Sequence, residues 1–415
     1  MTRSSQGSVK SGETRRRQHS KEDWIAASGR PISRLSLPAF RKRPPKLHWP
    51  APNDEVGDPI GGLCREPNEE FKKHLRHHGS SKKSLVFSAV FKTRDGRDER
   101  LAVKVVHCSL DPGTPEFQEK IQNEFEVLAQ LEHNHIIAAV GSYIESNQSG
   151  WQYGLLLFPL ASNNLDGILD KVSVHNIERD QRLDWRRHEH VDGLLDYLAC
   201  LCRTIIYLHG LEKPIKHRDV KPANILVDDH GTVILADFDI AKQYTNKHFA
   251  LTEGPTPHTD RYASKAVKVG AERGFEWDVY SLGCVCLEVA TVALGETMNN
   301  LHHHMTGGAD QDCDYPGALE RGLVDSWLRH LRSVALASQD QRLLARFTGT
   351  DSQDPSIGLD KFLCQILAMM RVDTNGSGHV LQSAWMCFSG IASRDCPHCH
   401  PKVFKTIFEN PFELH

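Results

Sequence analysis

The sequence contains no apolar run close to the ~20 residues that a membrane-spanning helix needs. Its best apolar stretch, 282–294, includes Glu288 and is typical of a buried helix. The first residues, Met1–Ser5, lack the apolar segment of a secretory signal. Eleven cysteines among 415 residues are too sparse for a disulfide-rich fold. We therefore expect reduced thiols and a cytoplasmic or nuclear location.

The sequence also lacks a strong excess of charge of either sign. Its 50 basic residues oppose 53 acidic residues, a formal net charge of −3. This balance argues neither for nor against a polyanionic partner, and no nucleic acid is predicted. The composition, 39% hydrophobic and 25% charged, is ordinary for a globular protein. A chain of this length is expected to form two or three compact units.

Residues 1–70 are rich in Ser, Arg and Pro and show no sustained apolar period. This composition predicts a disordered basic tail, because too little apolar surface can be buried to offset the ordering entropy. Two basic clusters, 15–17 and 41–46, could serve nuclear import or bind an acidic surface. A solvated flexible tail is the favoured interpretation.

The apolar periodicity after the tail predicts an α+β protein with two lobes. The smaller lobe, 71–160, is predicted to be a sheet with one helix, and 161–415 is predicted to be mainly helical. The predicted strands are 85–91, 101–106, 136–143, 153–160, 225–227 and 233–235. The predicted helices are 116–132, 194–208 after a polar stretch, 278–293, 324–338 and 360–371.

Two short segments hold the densest group of chemically competent side chains. They read His-Arg-Asp-Val-Lys-Pro-Ala-Asn over 217–224 and Asp-Phe-Asp over 237–239. Phosphoryl transfer needs a carboxylate beside the attacking hydroxyl and cations around the phosphate oxygens. It also needs the carboxylate and amide oxygens that Mg²⁺ prefers. The two segments supply this whole set, and the predicted strands between them could return the second segment to the cleft.

These segments strongly resemble the catalytic loop and the metal-binding tripeptide of the eukaryotic protein kinase family. The resemblance extends over roughly 75–390 and implies the two-lobed kinase fold, with ATP and Mg²⁺ as cofactors. It implies that Asp219 is the catalytic base and that Lys221 lies against the γ-phosphate. Asn224 and Asp237 would hold the metal ions.

The strand around Lys104 resembles the family's strand whose Lys contacts the α- and β-phosphates. Glu124 falls in a segment similar to the family's first-lobe helix, and a Lys104–Glu124 pair would hold the Lys head in place. The segment 155–160 resembles the strand that enters the hinge between the lobes, where a Pro is unusual. The nucleotide-binding residues implied by the resemblance are Gly79, Val86, Ala102, Lys104, Leu157, Leu160, Asn224 and Asp237.

The sequence departs from the family pattern at three places. Of the three glycines in the phosphate-covering loop only Gly79 is kept, and Ser81 and Ser84 replace the other two. Since Gly allows a close approach of the backbone to phosphate, weaker ATP binding is expected. The metal tripeptide ends in Asp239 instead of Gly, and 264–266 reads Ser-Lys-Ala instead of Ala-Pro-Glu. None of these changes removes a charged group that the chemistry needs.

The resemblance also indicates the substrate and the regulation. Lys221 is typical of the Ser/Thr group, and Thr259 would contact it, so the expected substrate is a protein with Ser or Thr hydroxyls. Arg218 beside Asp219 indicates control by a phosphorylated activation loop, and hence an upstream activating kinase. The candidate phosphorylation sites are Thr245, Thr252 and Thr256. Asp278 would brace the catalytic loop, or would only cap a helix.

Two further patterns could bind metals. Cys396 and Cys399 with His398 and His400 are zinc-competent, but the tail offers no second ligand pair, so an exposed loop is favoured over zinc. The segment from Asp373 resembles an EF-hand loop whose twelfth position is not acidic, which favours a plain turn. His302–His304 are expected in an exposed loop.

An active Ser/Thr kinase is thus the leading hypothesis. The alternative is a pseudokinase that acts as a nucleotide-binding or scaffold module, which the degraded phosphate loop favours. Phosphoryl transfer to a small molecule on the same fold is a weaker alternative, because the long polar loop after the metal tripeptide suits a macromolecular substrate.

Overall fold

A computed structural model describes residues 63–65, 76–80, 84–92, 98–110 and, apart from short gaps such as 182–188 and 246–250, residues 114–399. The predicted tail lies outside these residues except for Leu63–Arg65. None of the described helices is both long and apolar enough to cross a bilayer.

Within the described part of the chain, eleven strands form three sheets. The strands are β1 (Leu63–Arg65), β2 (Arg76–Ser80), β3 (Ser84–Lys92), β4 (Asp98–Cys108), β5 (Ala138–Asn147), β6 (Gly150–Phe158), β7 (Asn163–Asn164), β8 (Ile215–Lys216), β9 (Ile225–Val227), β10 (Val233–Leu235) and β11 (Lys242–Gln243). The main sheet has the order β1-β5-β6-β4-β3-β2, and only its β1–β5 pair is parallel. β4 therefore lies inside the sheet, where its alternate residues Leu101, Val103 and Val105 are buried.

The helices follow mainly after this sheet. They are α1 (Pro115–Phe117), α2 (Asn123–Leu128), α3 (Leu165–Gln181), α4 (Glu189–Gly210), α5 (Lys265–Lys268), α6 (Glu276–Ala293), α7 (Met298–Thr306), α8 (Tyr315–Glu320), α9 (Leu323–Ala337), α10 (Gln341–Ala345), α11 (Pro355–Met370) and α12 (Ser377–Ile391). A β-rich part is thus followed by a larger helical part, which confirms the predicted two-lobed α+β fold. The boundaries of the two lobes stay a prediction.

Every residue of α6 is buried. α4, α11 and α12 pack around it and around one another. At Gly283 an added Cβ would lie 3.0 Å from the Met369 Cβ, so glycine lets α11 approach the backbone of α6 closely. α6 is therefore the axis of the helical lobe.

The structure confirms some of the predicted elements and corrects others. The strands predicted at 225–227 and 233–235 coincide with β9 and β10. The helix predicted over 116–132 is wrong at its end, because α2 stops at Leu128 and a turn follows. The exposed loop predicted at His302–His304 is also wrong. These residues lie on α7, where the ring of His304 is half-buried and its Nε2 lies 2.8 Å from the Ser326 hydroxyl.

A carboxylate in the middle of α6 is bonded by two tyrosines. Glu288 is 1% exposed and accepts hydrogen bonds from the hydroxyls of Tyr262, at 3.0 Å, and Tyr315, at 2.7 Å. Tyr262 follows the long polar loop, and Tyr315 begins α8. The network therefore joins the end of that loop to the core of the lobe. Burial raises the pKa of Glu288 from 4.5 to about 7, although the two hydroxyls oppose the shift.

We predict that Glu288→Gln changes the pH dependence of stability. Because the folded state holds its proton more tightly, protonated Glu288 contributes fully below pH 4.5, and this contribution is lost as pH rises through about 7. The slope is about 1.4 kcal/mol per pH unit in that window. Urea unfolding at several pH values should show the wild type losing stability relative to Glu288→Gln between these limits. A constant difference between the two proteins would contradict the assignment.

Candidate active site

Lys104 lies on the inner strand β4 and meets two carboxylates. Its Nζ is 2.7 Å from Oε2 of Glu124 and 2.5 Å from Oδ1 of Asp237. Burial alone would lower the pKa of Lys104, but the attraction of Glu124 and Asp237 raises it above its ordinary value. The ammonium therefore stays charged and links the sheet to α2 and to the segment after β10.

α2 makes further bonds to that segment. The second carboxylate oxygen of Glu124 accepts a hydrogen bond from the backbone N–H of Phe238, at 3.2 Å. The neighbouring Asn123 donates from Nδ2 to the carbonyls of Asp239, at 3.3 Å, and Ala241, at 3.1 Å. Asn123 was missed by sequence reasoning, because a lone polar residue on a helix carries no spacing signal. The tripeptide is thus fixed to α2 both at its centre and at its end.

Asp219 is the centre of a polar network on the catalytic loop. Its Oδ2 accepts from Lys221 Nζ, at 2.6 Å, and from Asn224 Nδ2, at 2.9 Å. Its Oδ1 accepts from the hydroxyl of Thr259, at 2.7 Å, and Lys221 Nζ also donates to that hydroxyl, at 2.9 Å. The predicted contact between Lys221 and Thr259 is therefore present.

Asp278, at the start of α6, holds the backbone of this loop. Its carboxylate is fully buried and accepts from the backbone N–H groups of His217, at 2.9 Å, and Arg218, at 2.8 Å. The ring nitrogen Nε2 of His209 lies 2.9 Å from the same carboxylate. Burial would raise the pKa of Asp278, but His209 and the backbone N–H groups lower it. The predicted brace is confirmed, and Asp278 does more than cap a helix.

Two residues of the site have a left-handed backbone. They are Arg218, with φ 71°, and Asp237, with φ 65°. Among the described residues these are the only non-glycine positions with positive φ. Such strain persists where surrounding contacts over-determine it, and it is typical of functional sites. Here the contacts are the bond from Arg218 N–H to Asp278 and the ion pair of Asp237 with Lys104.

Asp237 and Asn224 carry the oxygen ligands that suit Mg²⁺. Lys104 lowers the pKa of Asp237 below its ordinary value, against the effect of burial, so the carboxylate is charged. Asn224 uses Nδ2 to bond the carbonyl and the carboxylate of Asp219, both at 2.9 Å. Its Oδ1 is therefore the atom of that side chain that can ligate a cation. The residue set fits a magnesium site.

The residues predicted to contact the nucleotide lie on the strands that surround Lys104. Gly79 pairs with Val86 across β2 and β3, and Ala102 pairs with Leu157 across β4 and β6. Leu160 is half-buried and follows Pro159, which is preceded by a cis peptide bond. Four of the predicted nucleotide contacts thus lie on neighbouring strands of the main sheet. Leu160 lies just beyond the end of β6.

Only some of the residues that depart from the family pattern lie within the described part of the chain. Ser81 lies outside the described residues, and Ser84 begins β3. At the altered 264–266 segment, Lys265 pairs with Glu320 on α8, at 2.6 Å. Both side chains are more than half exposed, so this pair contributes little to stability.

Three cations lie together beside the catalytic loop. Lys216 Nζ donates to the carbonyl of Arg273, at 3.2 Å, and the guanidinium groups of Arg218 and Arg273 lie over the Trp277 ring, at 5.2 Å and 5.3 Å. Burial lowers the pKa of Lys216 to about 8, and the two arginines add to the effect. We call Lys216, Arg218 and Arg273 the cation pocket. Sequence reasoning identified only Arg218, because Lys216 lies just before the recognised motif and Arg273 comes from a distant segment.

The exposed loop predicted at 396–400 is wrong at its two cysteines, whereas His398 and His400 lie outside the described residues. The side chain of Cys399 is fully buried, and Cys396 is half-buried. The sulfur of Cys396 lies 3.3 Å from Nε2 of His135, and Cys200 on α4 belongs to the same group. The partners were missed because they lie far away in the sequence, whereas sequence reasoning searched for a second pair within the tail.

Comparison with known proteins agrees with this site. Residues 84–320 match the profile described as the protein kinase domain. The chain is 29% identical over 223 residues to the cysteine-rich receptor-like protein kinase 21 of Arabidopsis thaliana, covering 53% of the chain and 29% of that protein. It is 31% identical over 194 residues to the mitogen-activated protein kinase kinase kinase YODA of the same plant, covering 46% and 20%.

A third relative is the G-type lectin S-receptor-like serine/threonine-protein kinase SD1-13 of Arabidopsis thaliana. It is 28% identical over 208 residues, which are 49% of the chain and 22% of that protein. The chain thus spans less than a third of the length of these three relatives. Since the protein kinase profile covers more than half of the chain and the site above lies within it, the chain belongs to the protein kinase family.

Proposed function

We propose that the protein is an active serine/threonine kinase that transfers the γ-phosphoryl group of ATP to a protein hydroxyl. The observation that carries this proposal is the simultaneous presence of two assembled groups. Lys104 is paired with Glu124 and Asp237, and Asp219 is bonded by Lys221, Asn224 and Thr259. A protein kinase needs both groups in place for phosphoryl transfer.

Each group has a role in this proposal. Asp219 accepts the proton of the substrate hydroxyl and orients its oxygen. Lys221 is close enough to Asp219 to neutralise charge that develops on the phosphoryl oxygens. Lys104 contacts the α- and β-phosphates. Mg²⁺, held by Asn224 and Asp237, supplies further neutralisation of the phosphate charge when bound.

Selectivity for Ser or Thr is proposed from Lys221 and from its bond to Thr259. The curated relatives whose names specify serine/threonine kinases are consistent with it. A cytoplasmic or nuclear location stays a prediction from the sequence.

The second candidate function is that of a pseudokinase, a nucleotide-binding or scaffold module. It is favoured by the replacement of two loop glycines by Ser81 and Ser84. The intact network around Asp219 favours the enzyme, because a binding module has no physical need for a bonded base at the site of hydroxyl attack.

The cation pocket supports the proposal that an upstream kinase activates the protein. It is rich in positive charge, and within the described residues no acceptor reaches the buried Nε of Arg218. Tyr244, whose ring lies 4.6 Å from Lys216 Nζ, precedes the exposed Thr245. A phosphate on Thr245 could accept charge-assisted hydrogen bonds from this pocket. Thr252 and Thr256 lie outside the described residues and stay predicted sites.

The central experiment measures ³²P transfer from ATP to a generic basic protein. We predict that Asp219→Asn lowers kcat by about 10²–10⁴-fold, because the proton acceptor is lost. Asp229→Asn, an identical change at an exposed turn between β9 and β10, should leave kcat unchanged. A wild-type protein that binds ATP but transfers no phosphoryl group would establish the pseudokinase instead.

We predict that Lys104→Met both abolishes transfer and destabilises the fold. It leaves the buried Glu124 beside Asp237 without a cation, which should cost about 3 kcal/mol of unfolding free energy. Adding Glu124→Gln should recover part of that stability but no activity. Denaturant unfolding of Lys104→Met, Glu124→Gln and the double variant measures the coupling free energy between the two side chains. Lys213→Met, at an exposed position, is the control, and additive effects would show that Lys104 and Glu124 do not interact.

Activation by phosphorylation predicts a difference between two arginine variants. Phosphatase treatment should reduce the wild-type kcat, because the charge-assisted hydrogen bonds that the phosphate makes to the pocket are lost. The Arg218→Ala variant should have a low kcat before phosphatase treatment, because the phosphate would lack one of its cations. Its kcat should not change on treatment. The exposed control Arg329→Ala should respond as the wild type does. If the wild type keeps full activity after complete dephosphorylation, verified by intact mass, the pocket does not regulate the enzyme.

A further inference from the structure

A group of four soft ligands lies outside the active site. It consists of His135, between α2 and β5, Cys200 on α4, and Cys396 and Cys399 after α12. The sulfur and imidazole nitrogen atoms all lie within 4.8 Å of one another. Among the described residues, no other group of three or more histidine, cysteine or acidic side chains is arranged so that it could hold a metal ion. Three separate segments thus converge on one point in the interior.

The two C-terminal thiols are positioned by a turn. The backbone N–H of Cys399 donates to the carbonyl of Cys396, at 3.1 Å, which brings both side chains to the same side. Trp385 on α12 donates from Nε1 to the carbonyl of Cys399, also at 3.1 Å. The guanidinium group of Arg203 on α4 lies 5.5 Å from the Trp385 ring. The turn is therefore fixed to both helices that flank it.

The imidazole of His135 is oriented by its other nitrogen. Nδ1 lies 2.7 Å from the carbonyl oxygen of Val233, which can only accept, so Nδ1 carries the proton. Nε2 then presents its lone pair toward the cluster, 3.3 Å from the sulfur of Cys396. A backbone carbonyl that fixes the tautomer of a histidine in this way is the usual support of a metal ligand.

We propose that His135, Cys200, Cys396 and Cys399 form a structural zinc site. Zn²⁺ prefers four ligands in tetrahedral geometry, with Zn–S about 2.3 Å and Zn–N about 2.0–2.1 Å. Ligand atoms at those distances lie about 3.5–3.8 Å from one another. The observed group needs shifts of only about 1 Å, within the reach of side-chain rotation, to adopt that arrangement. Three thiolates and an imidazole leave no position open, which is the mark of a structural site rather than a catalytic one.

The chemistry of the ligands selects the metal. Thiolates and imidazole suit zinc, whereas magnesium and calcium require oxygen ligands. Burial limits competing water at three of the four ligands, since Cys399 is 0% exposed, His135 4% and Cys200 6%, while Cys396 is half-buried. Cys202, on the same helix as Cys200 and equally buried, takes no part in the group. A core that merely contained many cysteines would have no reason to include Cys200 in the group and leave out Cys202.

The site would join the C-terminal segment to the back of the catalytic cleft. Cys396 and Cys399 lie beyond residue 320, where the match to the protein kinase domain ends. The carbonyl of His135 accepts from the backbone N–H of Leu235, at 2.8 Å, and Leu235 lies two residues before Asp237. The zinc ion would thus fasten a segment outside the family match to β10, the strand that ends two residues before the proposed metal-binding residue Asp237.

The test is the zinc content of the full 415-residue chain, purified under reducing conditions and incubated with Zn²⁺. We expect about one tightly held zinc per chain, and Co²⁺ substitution should give thiolate-to-cobalt charge-transfer absorption. Cys200→Ala and Cys396→Ser should each lose the zinc and lower the melting temperature. Cys202→Ala is the matched control on the same helix and should keep one zinc. If Cys200→Ala does not fold, Cys396→Ser and removal of zinc from the wild type by a chelator give the same information.

Three results would overturn the proposal. A folded wild type with reduced thiols that binds no zinc would do so, as would zinc that persists in both Cys200→Ala and Cys396→Ser. A disulfide between two of the three cysteines that persists in protein purified with reductant and incubated with Zn²⁺, found by mass spectrometry, would also do so. Because these measurements do not depend on phosphoryl transfer, they are independent of the proposed kinase activity.

Discussion

The active site depends on the hydrogen bonds that the buried carboxylate of Asp278 accepts from the catalytic loop. It is the point where the helical core of the protein meets the catalytic loop, since it bonds the backbone of His217 and Arg218. A charged group in the interior is costly unless hydrogen bonds satisfy it, and this one receives two backbone donors and the ring of His209. It therefore fixes a backbone conformation that Arg218, with its positive φ, would not adopt alone.

Lys104 has the same importance for the smaller lobe. The sheet supplies the ammonium, α2 supplies Glu124, and the segment after β10 supplies Asp237. None of these segments is close to another in sequence, so their geometry depends on this one charged group. Phe238 adds to it, because its ring packs edge-on against His217 at 4.5 Å and connects the ion pairs to the catalytic loop.

The candidate site residues could be named from the sequence, because they lie in short segments that resemble motifs of the kinase family. Lys104, Glu124, Asp219, Lys221, Asn224 and Asp237 could each be named, and the structure brings them into two bonded groups. The packed strands β9 and β10 were predictable for the same reason, since short apolar runs between turns leave few alternatives. α3 was missed because its sequence is mostly polar after Val174.

What the sequence could not reveal was contact between distant segments. His135 and Cys200 are ordinary residues of a buried face until the chain folds and places them against Cys396 and Cys399. The same holds for Glu288, whose tyrosine partners lie 26 and 27 residues away along the chain. Arg273 likewise joins Lys216 and Arg218 only in three dimensions. Spacing rules detect local sites, and each of these is assembled from several elements.

The complete burial of α6 has a mechanical consequence. Its amide protons have no solvent-facing side from which exchange could begin, so they should be released only when the whole helical lobe unfolds. A segment of that kind cannot bend locally to admit a ligand. Any movement that opens the cleft would therefore have to take place outside α6.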